Sequence, residues 1–401
     1  MPVKNYNKSE LNKEMIINVG PQHPSTHGVL RLVMTLNGEI IKETKPVVGY
    51  LHRGLEKLAE SRNYFQYLPM VDRVDYLSSF FCSAAFCYAV ESIAGLKVPK
   101  RAEYIRLITM EFNRITSHLM WLTAFLLDLG ATTPMFYAFR EREDIVKLFE
   151  DLTGQRMMYN FYTFGGVKKD LPEGWMTKAL DLCKSMPKMF DEYEAIITKN
   201  PIFMERTKNV GILSQKMAAD YAITGANIRA SAIDFDLRKT NPYSVYDEID
   251  FKTHLAENCD SYDRYMVRIA EMRESVKIIE QALKQIPGGT PEKLQVKRVN
   301  CGCKNEDCEY CGFDAQLVGK KLNAAVFKPP VGEAISMLEA PRGVITCYVV
   351  SDGTNKPYRV KWRTPSFSSV QLLPELIKGK NYSDLMPIFG SLDVVLPEVD
   401  R

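Results

Sequence analysis

The sequence has no G-x-G-x-x-G turn and no G-x-x-x-x-G-K-[ST] loop, so the chain shows no means of holding a dinucleotide or nucleoside triphosphate by itself. G-x-S-x-G and H-E-x-x-H are absent as well, and nothing points to serine or zinc hydrolase chemistry. Excess charge is missing: 52 Lys and Arg stand against 49 Asp and Glu, a net +3, too little for a protein built to neutralise nucleic-acid phosphates. The N-terminus Met1-Pro2-Val3-Lys4-Asn5-Tyr6 carries neither the apolar stretch of a secretory signal nor an Arg- and Ser-rich leader. With no such signal, an odd count of nine cysteines favours reduced thiols or metal ligands over disulfides. No apolar run reaches the roughly 20 residues of a membrane span. The uncharged stretch from Tyr76 to Val90 closes at Glu91, and that from Ile115 to Phe139 is broken by His118 and Asp128.

What is present is a large globular chain of 401 residues, 46% hydrophobic, with enough apolar surface to offset chain entropy. Leu30, Leu32, Met34 and Leu36 alternate with polar or smaller neighbours, and Asn37-Gly38 predicts a tight hairpin back through residues 39–44. A short strand is expected at 15–19. From about residue 54 to 286 the period turns helical. Helices are expected over 75–96, 101–129, 135–153, 174–199 and 261–285, joined by short turns as in a bundle. A hairpin of 344–351 and 358–362 and two short helices complete the chain. The fold class is α+β, mainly α: a β module at 1–50, a helical bundle at 51–290, a Cys-rich insert at 291–335 and a C-terminal segment at 336–401.

Chemistry-bearing residues are few. Only five histidines occur, and His23 and His27 share the Gly/Pro-bounded loop Gly20-Pro21-Gln22-His23-Pro24-Ser25-Thr26-His27-Gly28. An imidazole there could exchange a proton near neutral pH, or merely cap backbone groups. Asp128 ends an apolar helix, where a carboxylate either faces solvent or needs a cation or donor. In Asp72-Arg73-Val74-Asp75-Tyr76 an aspartate could cap the following helix while Tyr76 is either core or a proton donor packed on an apolar ligand.

These segments resemble the hydrogenase-like, quinone-binding core subunit of respiratory complex I. The histidine loop with Val29-Leu30-Arg31 carries the likeness, together with Gly49-Tyr50-Leu51-His52-Arg53-Gly54-Leu55-Glu56-Lys57 and Asp72-Arg73-Val74-Asp75-Tyr76. Leu127-Asp128-Leu129-Gly130-Ala131, Tyr262-Asp263-Arg264-Tyr265 and the terminal Glu398-Val399-Asp400-Arg401 extend it. It covers nearly the whole chain apart from about 288–335. The resemblance implies a fold like the large subunit of nickel–iron hydrogenases and a role in proton-pumping NADH:ubiquinone oxidoreductase. It places NADH and FMN on other subunits and the terminal [4Fe–4S] cluster on a small iron–sulfur partner. Other peripheral-arm and membrane-arm subunits are implied partners. Tyr76 and His27 match the headgroup ligands, with His23 in the same quinone-binding loop; Asp128 matches the carboxylate paired with His27, and Arg53 and Arg73 match arginines beside the partner's cluster. A catalytic set of Tyr76, His27 and Asp128 is expected, acting on ubiquinone.

Two features depart from that family. Met158 stands where it usually has a histidine near the cluster, and a thioether does not titrate. The segment Cys301-x-Cys303-x4-Cys308-x2-Cys311 is foreign to it; its thiols could hold structural zinc, an iron–sulfur cluster, or nothing. An active nickel–iron hydrogenase is excluded, since the four thiolates it needs in two C-x-x-C pairs are missing. The resemblance leaves a photosynthetic or archaeal complex-I-like enzyme, with another donor or quinone, as the second reading. A zinc-stabilised scaffold without quinone chemistry is disfavoured by the joint presence of His27, Tyr76 and Asp128. The expected location is the matrix side of the mitochondrial inner membrane, with a bacterial plasma membrane second.

Overall fold

The computed structural model describes residues 14–22, 28–288, 322 and 327–401; His23, His27 and the cysteines from Cys301 to Cys311 lie outside them. Strands β1 (Glu14–Val19), β2 (Arg31–Asn37) and β3 (Ile40–Val47) form an antiparallel sheet in sequence order. Alternation in β2 buries Leu32, Met34 and Leu36, as a half-buried strand requires. They join a core with Leu213, Leu373, Ile388 and Leu396. The hairpin falls where expected, but Asn37 stays in the ladder opposite Ile40, leaving Gly38-Glu39 as the turn, with Gly38 at φ 62°.

Short helices α1 (Leu55–Ala59) and α2 (Tyr64–Val71) precede α3 (Ser79–Ala94). The α3 helix starts four residues later than its pattern suggests, because the Asp75 carboxylate is engaged with Leu77, Ser78 and Arg342.

The bundle is built on α4 (Lys100–Asp128), whose 29 residues span about 44 Å at 1.5 Å per residue. Helix α5 (Thr132–Thr153) and the long helix Ser261–Gln285 pack on it, and α6 (Trp175–Tyr193) packs on both of those. Because α4 is enclosed, polar residues such as Arg106, Glu111, Arg114 and His118 are buried with its apolar ones. The segment expected as one helix over 174–199 changes to a π-helical turn at Glu194–Thr198.

Against α3 lies a second antiparallel sheet, made of the strands Gly332–Ala340, Gly343–Ser351 and Pro357–Arg363. Its first strand is missing from the sequence reading, since Gly332–Ala340 lacks regular alternation. Helices Pro365–Ile377, Leu385–Leu392 and Leu396–Asp400 close the chain. Among the described residues no helix is long and apolar enough to cross a membrane.

Candidate functional site

The site is organised by the turn between α2 and α3. A capping box between Asn63 and Gln66 starts α2, satisfying two of its first backbone donors. At its end the Asp72 carboxylate accepts from Ser83 Oγ and, at 2.7 Å, from the Asn160 N–H. Three residues on, Asp75 accepts from the Leu77 N–H at 3.1 Å, from Ser78 Oγ and from Arg342 Nη1 at 2.6 Å. The turn is therefore clamped at both ends. Tyr76 projects from it partly buried. Burial raises its phenol above the ordinary range, the Asp75 charge adds to this, and Arg342 opposes it. Tyr76 thus keeps its proton at neutral pH and is available as a donor.

Arg342 sits in the tight turn between the strands Gly332–Ala340 and Gly343–Ser351. Gly343, at φ 136°, lets that turn approach Thr224, whose Oγ1 would be 2.4 Å from any added Cβ. The guanidinium is buried between Asp75 and Asp393, the latter 3.4 Å from Nε. Arg342 Nη2 and Asp393 Oδ2 are buried without a hydrogen-bond partner. Glu398 lies in the same field and accepts from the Ser366 N–H at 2.7 Å. Burial and the Asp75 charge push its carboxyl up to about 8, against the pull of Arg342. A neutral acid near the Tyr76 turn is the consequence.

The other expected residues converge on the same C-terminal stretch. Asp128 ends α4, where the helix dipole disfavours a negative charge. A Cβ on Gly390 would lie 3.7 Å from Asp128 Oδ2, and Trp121 Nε1 donates to the Gly390 carbonyl at 2.7 Å. Gly28, which closes the histidine loop, packs on Leu396. Residues 390–398 therefore join the base of that loop, the end of α4 and the Arg342 cluster under Tyr76. The His27–Asp128 pairing expected from the resemblance lies outside the described residues.

Arg53 and Arg73 are neighbours: Arg53 Nη2 donates to the Arg73 carbonyl and Arg73 Nη1 to that of Pro69, each at 2.5 Å. Burial, then the charge of Arg73, lowers the Arg53 guanidinium from its ordinary value. Neither forms an ion pair among the described residues, so the pair presents uncompensated positive charge suited to an anionic neighbour. The chain terminus braces this corner. Asp400 accepts from the Gly49 and Leu51 N–H groups at 2.8 and 2.7 Å, and the Arg53 N–H donates to the Arg401 carbonyl.

Arg342, Asp393, Glu398 and Asp72 escaped the sequence reading as site residues. The available signal was charge inside apolar surroundings, as in Val394-Val395-Leu396-Pro397-Glu398-Val399. Among the described residues no group of three or more His, Cys, Asp or Glu could hold a metal. Cys82, Cys87, Cys183 and Cys347 are buried free thiols, and Cys259 is a partly exposed one.

Comparison with known proteins bears on the family of the chain. The family model described as the 49 kDa subunit of respiratory-chain NADH dehydrogenase matches residues 128–401. An NAD(P)H-quinone oxidoreductase subunit of Gloeobacter violaceus is 49% identical over 389 residues, covering 97% of this chain and 98% of the relative. The corresponding chloroplastic NAD(P)H-quinone oxidoreductase subunit of Marchantia polymorpha is 48% identical over 390 residues, with the same coverage. That of Angiopteris evecta is 48% identical over 387 residues, or 96% and 98%. These chloroplastic and cyanobacterial relatives overturn the expected mitochondrial inner-membrane location. They also favour the second functional reading, a complex-I-like enzyme of a photosynthetic lineage, over the mitochondrial form.

Proposed function

The chain belongs to the 49 kDa subunit family of the respiratory-chain NADH dehydrogenases, and from that premise we propose that it lines the quinone-reduction pocket of an NAD(P)H-quinone oxidoreductase complex. Its proposed partners are a small subunit carrying the terminal [4Fe–4S] cluster and the remaining subunits of both arms, with the NAD(P)H and flavin sites elsewhere. The observation that carries this reading is the clamped Tyr76 turn. Asp75 and Arg342 fix the turn that carries a phenol keeping its proton, next to the C-terminal stretch that also meets Asp128 and the base of the histidine loop.

Reduction of a quinone to a quinol consumes two electrons and two protons. The partner's cluster, when present, supplies the electrons. Tyr76 hydrogen-bonds one quinone carbonyl and donates a proton as negative charge develops on that oxygen. Burial and then the neighbouring Asp75 carboxylate make a tyrosinate costly, so the resting form of Tyr76 is the protonated one. His27 and Asp128 form the second proton-delivering pair, with His23 in the same loop. Arg53 and Arg73 lie on the face proposed to meet the iron–sulfur partner, where two cations favour arrival of an electron.

The test is Tyr76→Phe in the assembled complex. The ring still packs, so assembly and reduction of the iron–sulfur centres should persist while quinone-reductase turnover falls roughly 10²-fold or more, the usual size of a lost general acid. Turnover equal to the parent enzyme would remove Tyr76 from the mechanism.

A further inference from the structure

Two arginines of the long helix Ser261–Gln285, Arg264 and Arg268, are wholly buried. The buried Arg106, Arg114, Arg229 and Arg342 each face an acid, whereas Arg264 and Arg268 form no ion pair among the described residues. A buried cation without a counter-ion is costly, so what its donors hold is informative. Arg264 binds the Gly211 and Cys259 carbonyls and Ser391 Oγ. Arg268 closes the end of the Leu385–Leu392 helix. Its Nη1 donates to the Ser391 carbonyl at 3.0 Å. Its Nη2 donates at 3.0 Å to Asn227 Oδ1, and the Asn227 amide nitrogen in turn donates to the Leu392 carbonyl at 3.0 Å. The guanidinium also lies 4.4 Å from the centre of the Trp121 ring, whose Nε1 holds the Gly390 carbonyl. The last carbonyls of a helix have no partner within it; here three are held from outside, two of them through Arg268. A cation also suits the negative end of the helix dipole.

The residue that follows is Asp393, in the left-handed region at φ 57°. A helix end fixed at Ser391 and Leu392 decides where this carboxylate points. It points to Arg342, whose other side holds Asp75 of the Tyr76 turn. Burial lowers the Arg268 guanidinium from its ordinary range, and the Asp393 charge is the first to oppose it, so the two groups share one field.

We infer that Arg268 is a positioning residue for Tyr76: it holds the end of the Leu385–Leu392 helix so that Asp393 aligns Arg342 against Asp75. The inference rests on the functional reading above and extends the site to a bundle residue that acts on Tyr76 through Asp393, Arg342 and Asp75. What matters in this role is the two-pronged guanidinium, which reaches the Ser391 carbonyl and Asn227 together. A point charge on a lysine does not span both. Because a misplacement of about 1 Å can cost up to about 10²-fold in rate, a small shift of the turn is enough to be measured.

The experiment is a double-mutant cycle on quinone-reductase turnover, with Tyr76→Phe as the second position. Turnover is expressed per assembled complex, quantified by native electrophoresis and by the reducible iron–sulfur signals. Arg268→Met replaces the guanidinium by an apolar chain and leaves no unpaired cation in the core. Turnover should fall roughly 10-fold, with the KM for a short-tailed quinone within about twofold of the parent, because geometry rather than binding is lost. On the Tyr76→Phe background the same substitution should cost little more, since the phenol it positions is gone. Arg268→Lys, the milder change, should also lower turnover, and it carries the cycle should Arg268→Met not assemble. Parental turnover in Arg268→Lys and in any assembled Arg268→Met overturns the inference. So does the full loss repeated on the Tyr76→Phe background, the mark of a purely structural effect. In both cases a large loss in Tyr76→Phe alone leaves the functional reading standing; if Tyr76→Phe retains parental turnover, that reading falls and the inference with it.

Discussion

Glu111 and Glu271 inside the bundle and Glu398 beside the Tyr76 turn are equally hidden from water, yet they hold their protons in opposite ways. In the bundle, burial alone would raise Glu111, but Arg114 and Arg238 outweigh it, together with Ser275 and Tyr246, and hold the carboxyl at about 2. Glu271 is treated the same way: burial acts upward, and Arg229 at 2.6 Å and His118 at 3.1 Å bring it well below the usual range. At the turn, one arginine, Arg342, is shared between Asp75 and Asp393, and Glu398 keeps its proton. Glu111 faces two guanidinium groups, whereas Glu398 lies in the field of one that Asp75 and Asp393 already share. Glu339, which shares Arg229 with Glu271, is raised as Glu398 is, so the number of guanidinium groups per acid decides, not depth. One arrangement keeps Glu111 and Glu271 ionised as a frame; the other leaves Glu398 a proton to exchange.

The frame should break first. Arg229 binds Glu271 and, at 2.7 Å, Glu339. Arg229→Met would leave both acids buried and short of their counter-ion, a cost of roughly 3–5 kcal/mol. The expected outcome is loss of the chain from the assembled complex, read by native electrophoresis. Normal assembly would show that the network adds little to stability. Asp75→Asn should cost less, roughly 1–3 kcal/mol, since the amide can still accept from Ser78 while Arg342 keeps Asp393. Assembly should survive and quinone turnover should fall, because the turn that positions Tyr76 loses its clamp. Turnover falling only in proportion to assembled complex would reduce Asp75 to a structural cap.

How much of this was legible in the sequence follows the range of the interactions. The long helices were, because a 3.6-residue period is local. Tyr76 and Asp128 were singled out on pattern and given roles by resemblance. The turn that holds Tyr76 was not: Asp75 to Ser78 reads as the first turn of an apolar helix, and the bonds of Asp75 to Leu77, Ser78 and Arg342, the last 267 positions away, keep it out of α3. Arg342, Asp393 and Glu398 offer locally only a charge among apolar neighbours, and what distinguishes them as a cluster is one another. Asp72 read as a possible cap of the following helix, whose N-cap is instead Ser78, while its carboxylate binds Ser83 Oγ and the Asn160 N–H.

The gentlest test of the comparison changes a slope rather than a level. Glu398 in the folded chain holds its proton up to about 8, whereas an unfolded glutamate releases it near 4.3. Between those values the folded state binds more protons than the unfolded one, so this group's contribution to stability is full in acid and is lost as pH rises toward 8. Asp72 acts in the same direction but only up to about 6, and Glu111 and Glu271 lie below the ordinary carboxylate range. Comparing the parent with a Glu398 variant between pH 6.5 and 8.5 therefore isolates Glu398. Glu398→Gln keeps the acceptor for the Ser366 N–H and has no proton to lose. Amide hydrogen exchange of the Leu385–Leu392 helix in the purified complex, corrected for intrinsic rates, should accelerate with pH in the parent and stay level in the variant. Parallel curves would mean that Glu398 is ionised across this range, and the turn would then be as permanently charged as the frame behind it.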